Sequence, residues 1–167
     1  MIENTRILII EDEADIRDAY QKILSPDGPG GILSESAELF NEDAQSSQPQ
    51  RYDLTLAPTG NAGIEAVKTS VECGTPFAAA FVDMRMPGLD GAETIRRIWA
   101  IDGKIKVVIV TAYTDYKSEN LLDLAGHGDL CFFRKPFSID EITQLAEMLT
   151  TEWCQAREQE QQEKKPQ

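Results

Sequence analysis

The sequence has little histidine, little cysteine and no long apolar run, and each shortage excludes a class of protein. Its one histidine, His127, cannot build a histidine-rich metal site. Its three cysteines are odd in number, far apart and without metal-ligand spacing, so we expect reduced thiols. No apolar run reaches the roughly 20 residues that cross a bilayer, and the first residues lack the layout of a signal peptide. We therefore expect a cytoplasmic protein without membrane insertion.

Basic charge is also scarce. The chain has 16 Lys and Arg residues against 29 Asp and Glu residues, which gives a formal net charge of −13. This balance argues against nonspecific binding to DNA, because such binding needs basic side chains that displace counterions from phosphates. A cation, or a basic patch on a protein partner, is the better match for an acidic surface. We predict no direct nucleic acid binding.

Short apolar runs alternate with longer amphipathic stretches along most of the chain. The first run is continuous and β-branched, as in a strand that is buried on both faces. The predicted strands are Arg6–Ile10, Tyr52–Ala57, Phe77–Val82, Ile105–Val110 and Leu130–Phe133. The predicted helices are Asp15–Leu24, Asn61–Glu72, Gly91–Ile101, Asp115–Ala125 and one that begins near Ile139. Five such pairs predict an α/β fold, a flavodoxin-like doubly wound parallel sheet in the strand order 2-1-3-4-5.

Two segments fall outside this alternation. Residues Ser25–Gln50, between the first helix and the second strand, are rich in Gly, Pro, Ser and Gln, with five acidic residues and no Lys or Arg. We interpret them as an acidic loop insertion, because closing a longer surface loop costs little extra entropy. A dedicated docking element is the alternative. Residues Gln155–Gln167 are dominated by Gln, Glu and Lys, and we predict a helical or flexible tail there.

Polar side chains stand where the predicted strands end. Glu11 and Asp12 follow the first strand, and Asp83 follows the third. Thr111 ends the fourth strand and Lys135 lies just beyond the fifth. Since parallel strands of such a sheet open their carboxyl ends on one edge, we expect these residues to converge. Three carboxylates together repel one another, and Mg²⁺, which prefers oxygen ligands, relieves that repulsion.

A hydroxyl and an ammonium group beside a metal-bound carboxylate form a cradle for a phosphoryl group, because they neutralise the charge on its oxygens. Thr111 and Lys135 supply these two groups. Asp83, at the end of the central strand, is the carboxylate best placed to act as the nucleophile.

Four motifs resemble those of the response-regulator receiver domains of two-component signalling. In chain order they are Ile7–Glu13, Val82–Gly91, Val108–Tyr113 and Arg134–Phe137. They have the order and spacing of that family, and the resemblance covers most of the chain apart from the insertion and the tail. The resemblance implies a CheY-like receiver domain over residues 1–154, with the insertion at 25–50 and the tail at 155–167. It also implies that a histidine kinase or a phosphotransfer protein donates the phosphoryl group.

The resemblance implies a role for each position in the metal site. Glu11 and Asp12 correspond to the acidic pair that binds Mg²⁺ directly or through water. Asp83 corresponds to the phosphoacceptor and a further metal ligand, and the backbone carbonyl of Arg85 to another ligand. The chain departs from the commonest pattern in having Glu11 where aspartate is more usual.

The resemblance implies a switch as well. Thr111 would hydrogen-bond the phosphoryl group and Lys135 would form an ion pair with it. Phe132, three residues before that lysine, corresponds to the switch aromatic, which turns inward as Thr111 moves. This movement would reshape the surface made by the fourth helix, fifth strand and fifth helix.

Two other functions compete with this interpretation. A phosphohydrolase with an aspartyl-phosphate intermediate would carry a second acid two residues after the nucleophile, where this chain has Arg85. We therefore predict no enzyme, except that the chain catalyses its own phosphorylation and autodephosphorylation. A phosphorylation-independent, receiver-like interaction module would usually lack Asp83 or Lys135, and both are present. We expect either a single-domain regulator or, favoured by the helical character through Trp153, a downstream domain in a longer chain.

Overall fold

A five-stranded parallel sheet forms the centre of the molecule. The computed structural model describes residues 3–25, 51–111, 130–134 and 138–164. Its strands are β1 (Arg6–Ile10), β2 (Asp53–Ala57), β3 (Ala79–Asp83), β4 (Lys106–Thr111) and β5 (Leu130–Arg134). Their order in the sheet is β2-β1-β3-β4-β5, and every neighbouring pair is parallel. The predicted fold and strand order are confirmed.

Four helices are described around the sheet: α1 (Ala14–Leu24), α2 (Gly60–Glu72), α3 (Gly91–Ile101) and α4 (Ile139–Glu163). None of these four combines the length and the apolar character of a transmembrane helix. The last of them, α4, corresponds to the fifth predicted helix. The helix predicted at 115–125 and residues 26–50 of the predicted insertion lie outside the described residues.

One difference in strand bounds concerns the site. The apolar pattern predicted a third strand that ends at Val82, but β3 begins at Ala79 and includes Asp83. Phe77 is buried without belonging to the strand, whereas Asp83 is polar and still pairs with Val110 of β4. The apolar pattern therefore identified the buried residues, but it left out Asp83, the last residue of β3 that pairs with β4.

The sheet is covered on both faces, which explains why its central strands are continuously apolar. Along β1, Leu8 and Ile10 pack into the core beneath α2 and α3, and Ile7 and Ile9 pack into the core beneath α1 and α4. All five residues of β3 are buried. Alternate side chains thus enter opposite cores, as the period of a strand requires.

Two helices begin where the sequence has a capping pattern: Asp90 stands three residues before Glu93, and Ser138 three residues before Glu141. The Asp90 carboxylate accepts a hydrogen bond from the Glu93 amide at 2.9 Å at the start of α3. Ser138 and Glu141 form a reciprocal capping box at the start of α4, with distances of 3.2 and 2.9 Å. Caps of this kind typically contribute about 1 kcal/mol each.

Helix α4 continues past the sheet into the segment predicted as a tail. Trp153 is 6% exposed, and the Arg157 guanidinium lies 4.9 Å from the centre of its ring. Further along, Glu160 forms an ion pair at 2.6 Å with Lys104 in the turn between α3 and β4. This ion pair is exposed and screened by solvent, so the buried indole of Trp153 contributes more to the attachment of α4.

Replacing Trp153 should reveal that contribution. We expect Trp153→Ala to lower the free energy of unfolding by about 3 kcal/mol, because it removes a large buried ring and leaves a cavity. Met148 on the same helix is 43% exposed, and Met148→Ala should cost less than about 1 kcal/mol. Urea denaturation measures both. Equal losses in the two variants would show that this part of α4 is not docked.

Gly91 allows α3 to lie directly on the backbone of the candidate phosphoacceptor. A Cβ atom at Gly91 would stand 2.5 Å from the carbonyl oxygen of Asp83 and 2.8 Å from the Cα of Met84. The Gly91 amide also donates to the Met84 carbonyl at 2.9 Å. Because these neighbours are backbone atoms, they cannot move aside without moving Asp83.

We therefore expect Gly91→Ala to destabilise the protein by about 1–3 kcal/mol through overpacking against backbone. A Cβ at Gly103 would meet only the Trp99 carbonyl, at an ordinary 3.6 Å, so Gly103→Ala is the matched control and should be close to neutral. Thermal unfolding of both variants tests this. Wild-type stability in Gly91→Ala would contradict the close approach.

Candidate functional site

Three carboxylates meet at the carboxyl edge of the sheet. Ile10 pairs with Val82, so the residues that follow them, Glu11 and Asp83, extend the same edge. One carboxylate oxygen each from Glu11, Asp12 and Asp83 lies within 4.8 Å of the other two. The structure thus brings together the three acids that the sequence led us to expect in one place.

Burial makes this cluster electrostatically costly. Glu11 is 1% exposed and Asp83 is 6% exposed, while Asp12 is half-buried. Two like charges about 4 Å apart near a protein surface repel each other by about 4 kcal/mol. Positive charge stabilises such a set, and a bound cation is one group that can supply it.

The loop that carries Glu11 and Asp12 is held by hydrogen bonds on several sides. The Glu11 amide donates to the carbonyl oxygen of Ala57 in β2 at 3.1 Å. The Glu13 amide donates to the Glu11 carboxylate at 3.2 Å. One terminal nitrogen of Arg17, Nη1, donates to the carbonyl oxygens of Glu11 at 2.8 Å and of Asp12 at 2.9 Å. The backbone of the acidic pair is therefore fixed from β2 and from α1.

Sequence reasoning missed Arg17. The residue lies five positions after Asp12 on the first turns of α1, where an arginine usually faces solvent. No sequence pattern that we used separates such a charge from one that binds the preceding loop.

Tyr20 lies on α1 beneath the acidic cluster and is 1% exposed. Its ring packs against Phe81 of β3, with 5.6 Å between ring centroids. Burial raises the pKa of the Tyr20 hydroxyl far above its usual value, and the negative charges of Glu11 and Asp83 raise it further. Tyr20 is therefore a neutral phenol at physiological pH and adds no charge to the site.

The loop after Asp83 runs into α3 and is anchored at both ends. The Met84 amide donates to the Val110 carbonyl of β4 at 2.9 Å, and Met86 is 8% exposed. Gly88 has a φ of +83°, a conformation that favours glycine. Arg85 lies in this loop, with its side chain exposed. Asp83 is thus the last residue of a paired strand and is followed directly by a structured turn.

The remaining predicted residues lie on β4 and β5 or just after them. Thr111 is the last residue of β4, and its backbone pairs with Arg134, the last residue of β5. The Thr111 side chain and all of Lys135 lie outside the described residues. Phe132 lies on β5 opposite Ile109 and is 36% exposed. The two strand ends share the edge at which the acidic cluster lies.

The donor set of the cluster fits a hard divalent cation. All three candidate ligands offer carboxylate oxygens, the type that Mg²⁺ prefers. Two oxygens on opposite sides of one Mg²⁺ stand about 4.2 Å apart, given bonds of about 2.1 Å. The three carboxylate oxygens, which lie within 4.8 Å of one another, are therefore close enough to bind one ion. Water would complete its coordination, or the side chains would move slightly towards it.

Comparison with known proteins agrees with this geometry. The sequence profile of the response regulator receiver domain family matches residues 44–147, more than half of the chain. Glu11 and Asp12 precede the matched range in sequence, but the parallel pairing of β1 with β3 places them beside Asp83, which lies within that range.

Two curated relatives illustrate the similarity. Sporulation initiation phosphotransferase F of Bacillus subtilis is 32% identical over 122 residues, which cover 73% of this chain and 87% of that protein. Transcriptional regulatory protein FixJ of Bradyrhizobium diazoefficiens is 26% identical over 147 residues, which cover 88% of this chain and 57% of that protein. The chain thus spans most of the first relative and little more than half of the second.

Two solved structures share the fold. Adenylate cyclase from Rhodopirellula baltica superposes with a TM-score of 0.75 at 21% identity, over 98% of this chain and 99% of that chain. A CheY-like response regulator receiver domain protein from Methanospirillum hungatei superposes with a TM-score of 0.64 at 20% identity, over 90% of this chain and 96% of that chain. At these identities the similarity supports the fold alone, whereas the profile match and the Bacillus relative establish the family. The chain belongs to the response regulator receiver domain family.

Proposed function

We propose that this receiver domain is a Mg²⁺-dependent phosphorylation switch in which Asp83 accepts a phosphoryl group from the phosphohistidine of a histidine kinase or a phosphotransfer protein. The observation that carries the proposal is the convergence of Glu11, Asp12 and Asp83 at the carboxyl edge of the sheet. Two of these three acids are buried, and a positively charged ligand would stabilise such an arrangement.

Asp83 is the nucleophile in this proposal. One of its carboxylate oxygens attacks the phosphorus atom and a P–O bond forms. The P–N bond to the donor imidazole breaks, its electron pair stays on that nitrogen, and the ring, protonated on its other nitrogen, leaves as neutral imidazole. Asp83 suits this role because the backbone around it is held by the pairing with Val110 and by the Gly91–Met84 hydrogen bond. A fixed nucleophile lowers the entropic part of the barrier.

Glu11, Asp12, Asp83 and the backbone carbonyl of Arg85 are the proposed ligands of Mg²⁺. When bound, Mg²⁺ offsets the charge of the carboxylates and of the transferred phosphoryl oxygens. Thr111 and Lys135 are the proposed contacts to the phosphoryl group, through a hydroxyl hydrogen bond and an ion pair.

The proposed output is a change in the surface around β5. Phe132 is a large aromatic residue that is 36% exposed on this strand, so inward rotation of its ring would alter both the shape and the apolar character of the surface. The surface comprises the fourth predicted helix (115–125), β5 and α4. A protein partner or a downstream domain of a longer chain would read this change, and we propose that it does so in the cytoplasm.

The proposed domain extends over residues 1–154, with the insertion at 25–50 and the tail at 155–167. The first part of this tail continues α4, and Glu160 within it contacts Lys104 of the domain. A following segment would therefore begin from a helix that is attached to the receiver fold.

Phosphorylation by a small-molecule donor tests the proposal. With acetyl phosphate and Mg²⁺, we expect intact-mass spectrometry to detect one added phosphoryl group on the wild type and none on Asp83→Asn. The amide keeps the shape of the side chain but lacks the nucleophilic oxygen charge. Asp53→Asn changes a carboxylate on the edge strand β2 whose side chain is 67% exposed, and this control should be labelled like the wild type.

Removing Mg²⁺ with EDTA should abolish the labelling of the wild type. Labelling of Asp83→Asn at wild-type strength would disprove the assignment of the phosphoacceptor. A folded wild type that is never labelled would favour the phosphorylation-independent interaction module.

A further inference from the structure

We infer that Arg17 is a positioning residue of the metal site: its guanidinium fixes the two peptide units that direct the Glu11 and Asp12 carboxylates towards a divalent cation. This inference rests on the proposed function, because it assigns a role within the same site.

The hydrogen-bond geometry gives the first argument. The Nη1 atom of Arg17 carries two hydrogens and donates one to each of two consecutive carbonyl oxygens, those of Glu11 at 2.8 Å and Asp12 at 2.9 Å. The Cα of Asp12 lies between these two peptide planes. Because both planes are bound to one nitrogen, the direction in which the Asp12 side chain leaves the backbone is set by Arg17.

Glu11 is held in a similar way on its two sides. Its amide is bound to Ala57 of β2, and its carbonyl is bound to Arg17 of α1. Hydrogen bonds from a charged donor are stronger than those between neutral groups, so Arg17 is the stronger of the two anchors.

Helix α1, which carries Arg17, is itself held in place by packing. The Arg17 amide donates to the Glu13 carbonyl at 3.1 Å in the first turn of α1. Further along this helix, Tyr20 and Leu24 are each 1% exposed and are packed in the core between the sheet and the helices. Arg17 therefore attaches the loop of Glu11 and Asp12 to a helix that is packed in the core.

A purely electrostatic role of Arg17 and a positioning role predict opposite changes in Mg²⁺ affinity when Arg17 is removed. If Arg17 served only as a countercharge for the acidic cluster, it would compete with an incoming cation, and its removal would strengthen Mg²⁺ binding. If Arg17 positions the ligands, its removal weakens Mg²⁺ binding. Residues that orient metal ligands typically change metal affinity by about 10–100-fold. Both hydrogen bonds of the Arg17 guanidinium go to backbone carbonyl oxygens rather than to the carboxylates, so we expect positioning to dominate.

Urea denaturation of the full chain, with EDTA and then with increasing Mg²⁺, separates these roles. The increase in the free energy of unfolding with Mg²⁺ concentration gives the dissociation constant of Mg²⁺. If Arg17 only stabilises the fold, its replacement lowers the free energy of unfolding equally with and without Mg²⁺. We expect Arg17→Met, which keeps an unbranched apolar stem but loses the charge and the donors, to weaken Mg²⁺ binding about 10-fold. Arg97→Met removes an exposed arginine that pairs with Glu93 on α3, and this control should bind like the wild type.

Arg17→Lys keeps the charge and loses the planar guanidinium, so we expect a smaller weakening. This variant also carries the test if Arg17→Met does not fold. Unchanged or tighter Mg²⁺ binding in the folded Arg17 variants, with a wild type that binds, would overturn the inference and leave the proposed function standing. A wild type that gains no stability from Mg²⁺ would overturn both.

Discussion

The parallel pairing of β1 with β3 is the constraint on which the candidate site depends. Ile7 pairs with Ala79 and Ile10 with Val82, so the first acidic residue after β1 and the last residue of β3 reach the same edge. A slip of one residue would move one carboxylate by about 3.3 Å and exchange the faces of the side chains. The two buried cores oppose such a slip, because it would turn each apolar side chain towards the wrong layer. Hydrophobic packing thus determines where the charges meet.

Both layers of helices contribute to holding the acidic residues. On one face, α3 begins so close to the Asp83 backbone that only glycine fits at position 91. On the other face, α1 supplies Arg17 to the loop of Glu11 and Asp12. Contacts from both layers thus fix the backbone on either side of the acidic cluster. A change of charge at Asp83 therefore acts on a site connected to helices on both sides of the sheet.

Most of the fold could be predicted because its signals are local. The continuous run at Ile7–Ile10, the spacing of the strands and the caps at Asp90 and Ser138 each follow from a few neighbouring residues. The convergence of the acidic residues also followed from topology, since parallel strand ends share an edge. The exact end of β3 did not, because the ladder continues through a polar residue.

Two other contacts between distant parts of the structure could not be predicted in this way. The tail segment has no apolar stripe, yet Glu160 contacts Lys104, 56 residues earlier in the chain, and the neighbouring Trp153 is buried. Arg17 looked like an ordinary surface charge because its acceptors are backbone carbonyls, which every residue has. Such contacts depend on where the chain turns in three dimensions, and no residue type signals them.

Amide NMR spectra recorded with beryllofluoride, a phosphoryl mimic, and Mg²⁺ provide a direct test of the proposed phosphorylation switch. We expect Mg²⁺-dependent shifts at Asp83, Thr111 and Phe132 in the wild type and none of them in Asp83→Asn. A folded wild type whose spectrum does not respond would contradict the phosphorylation switch.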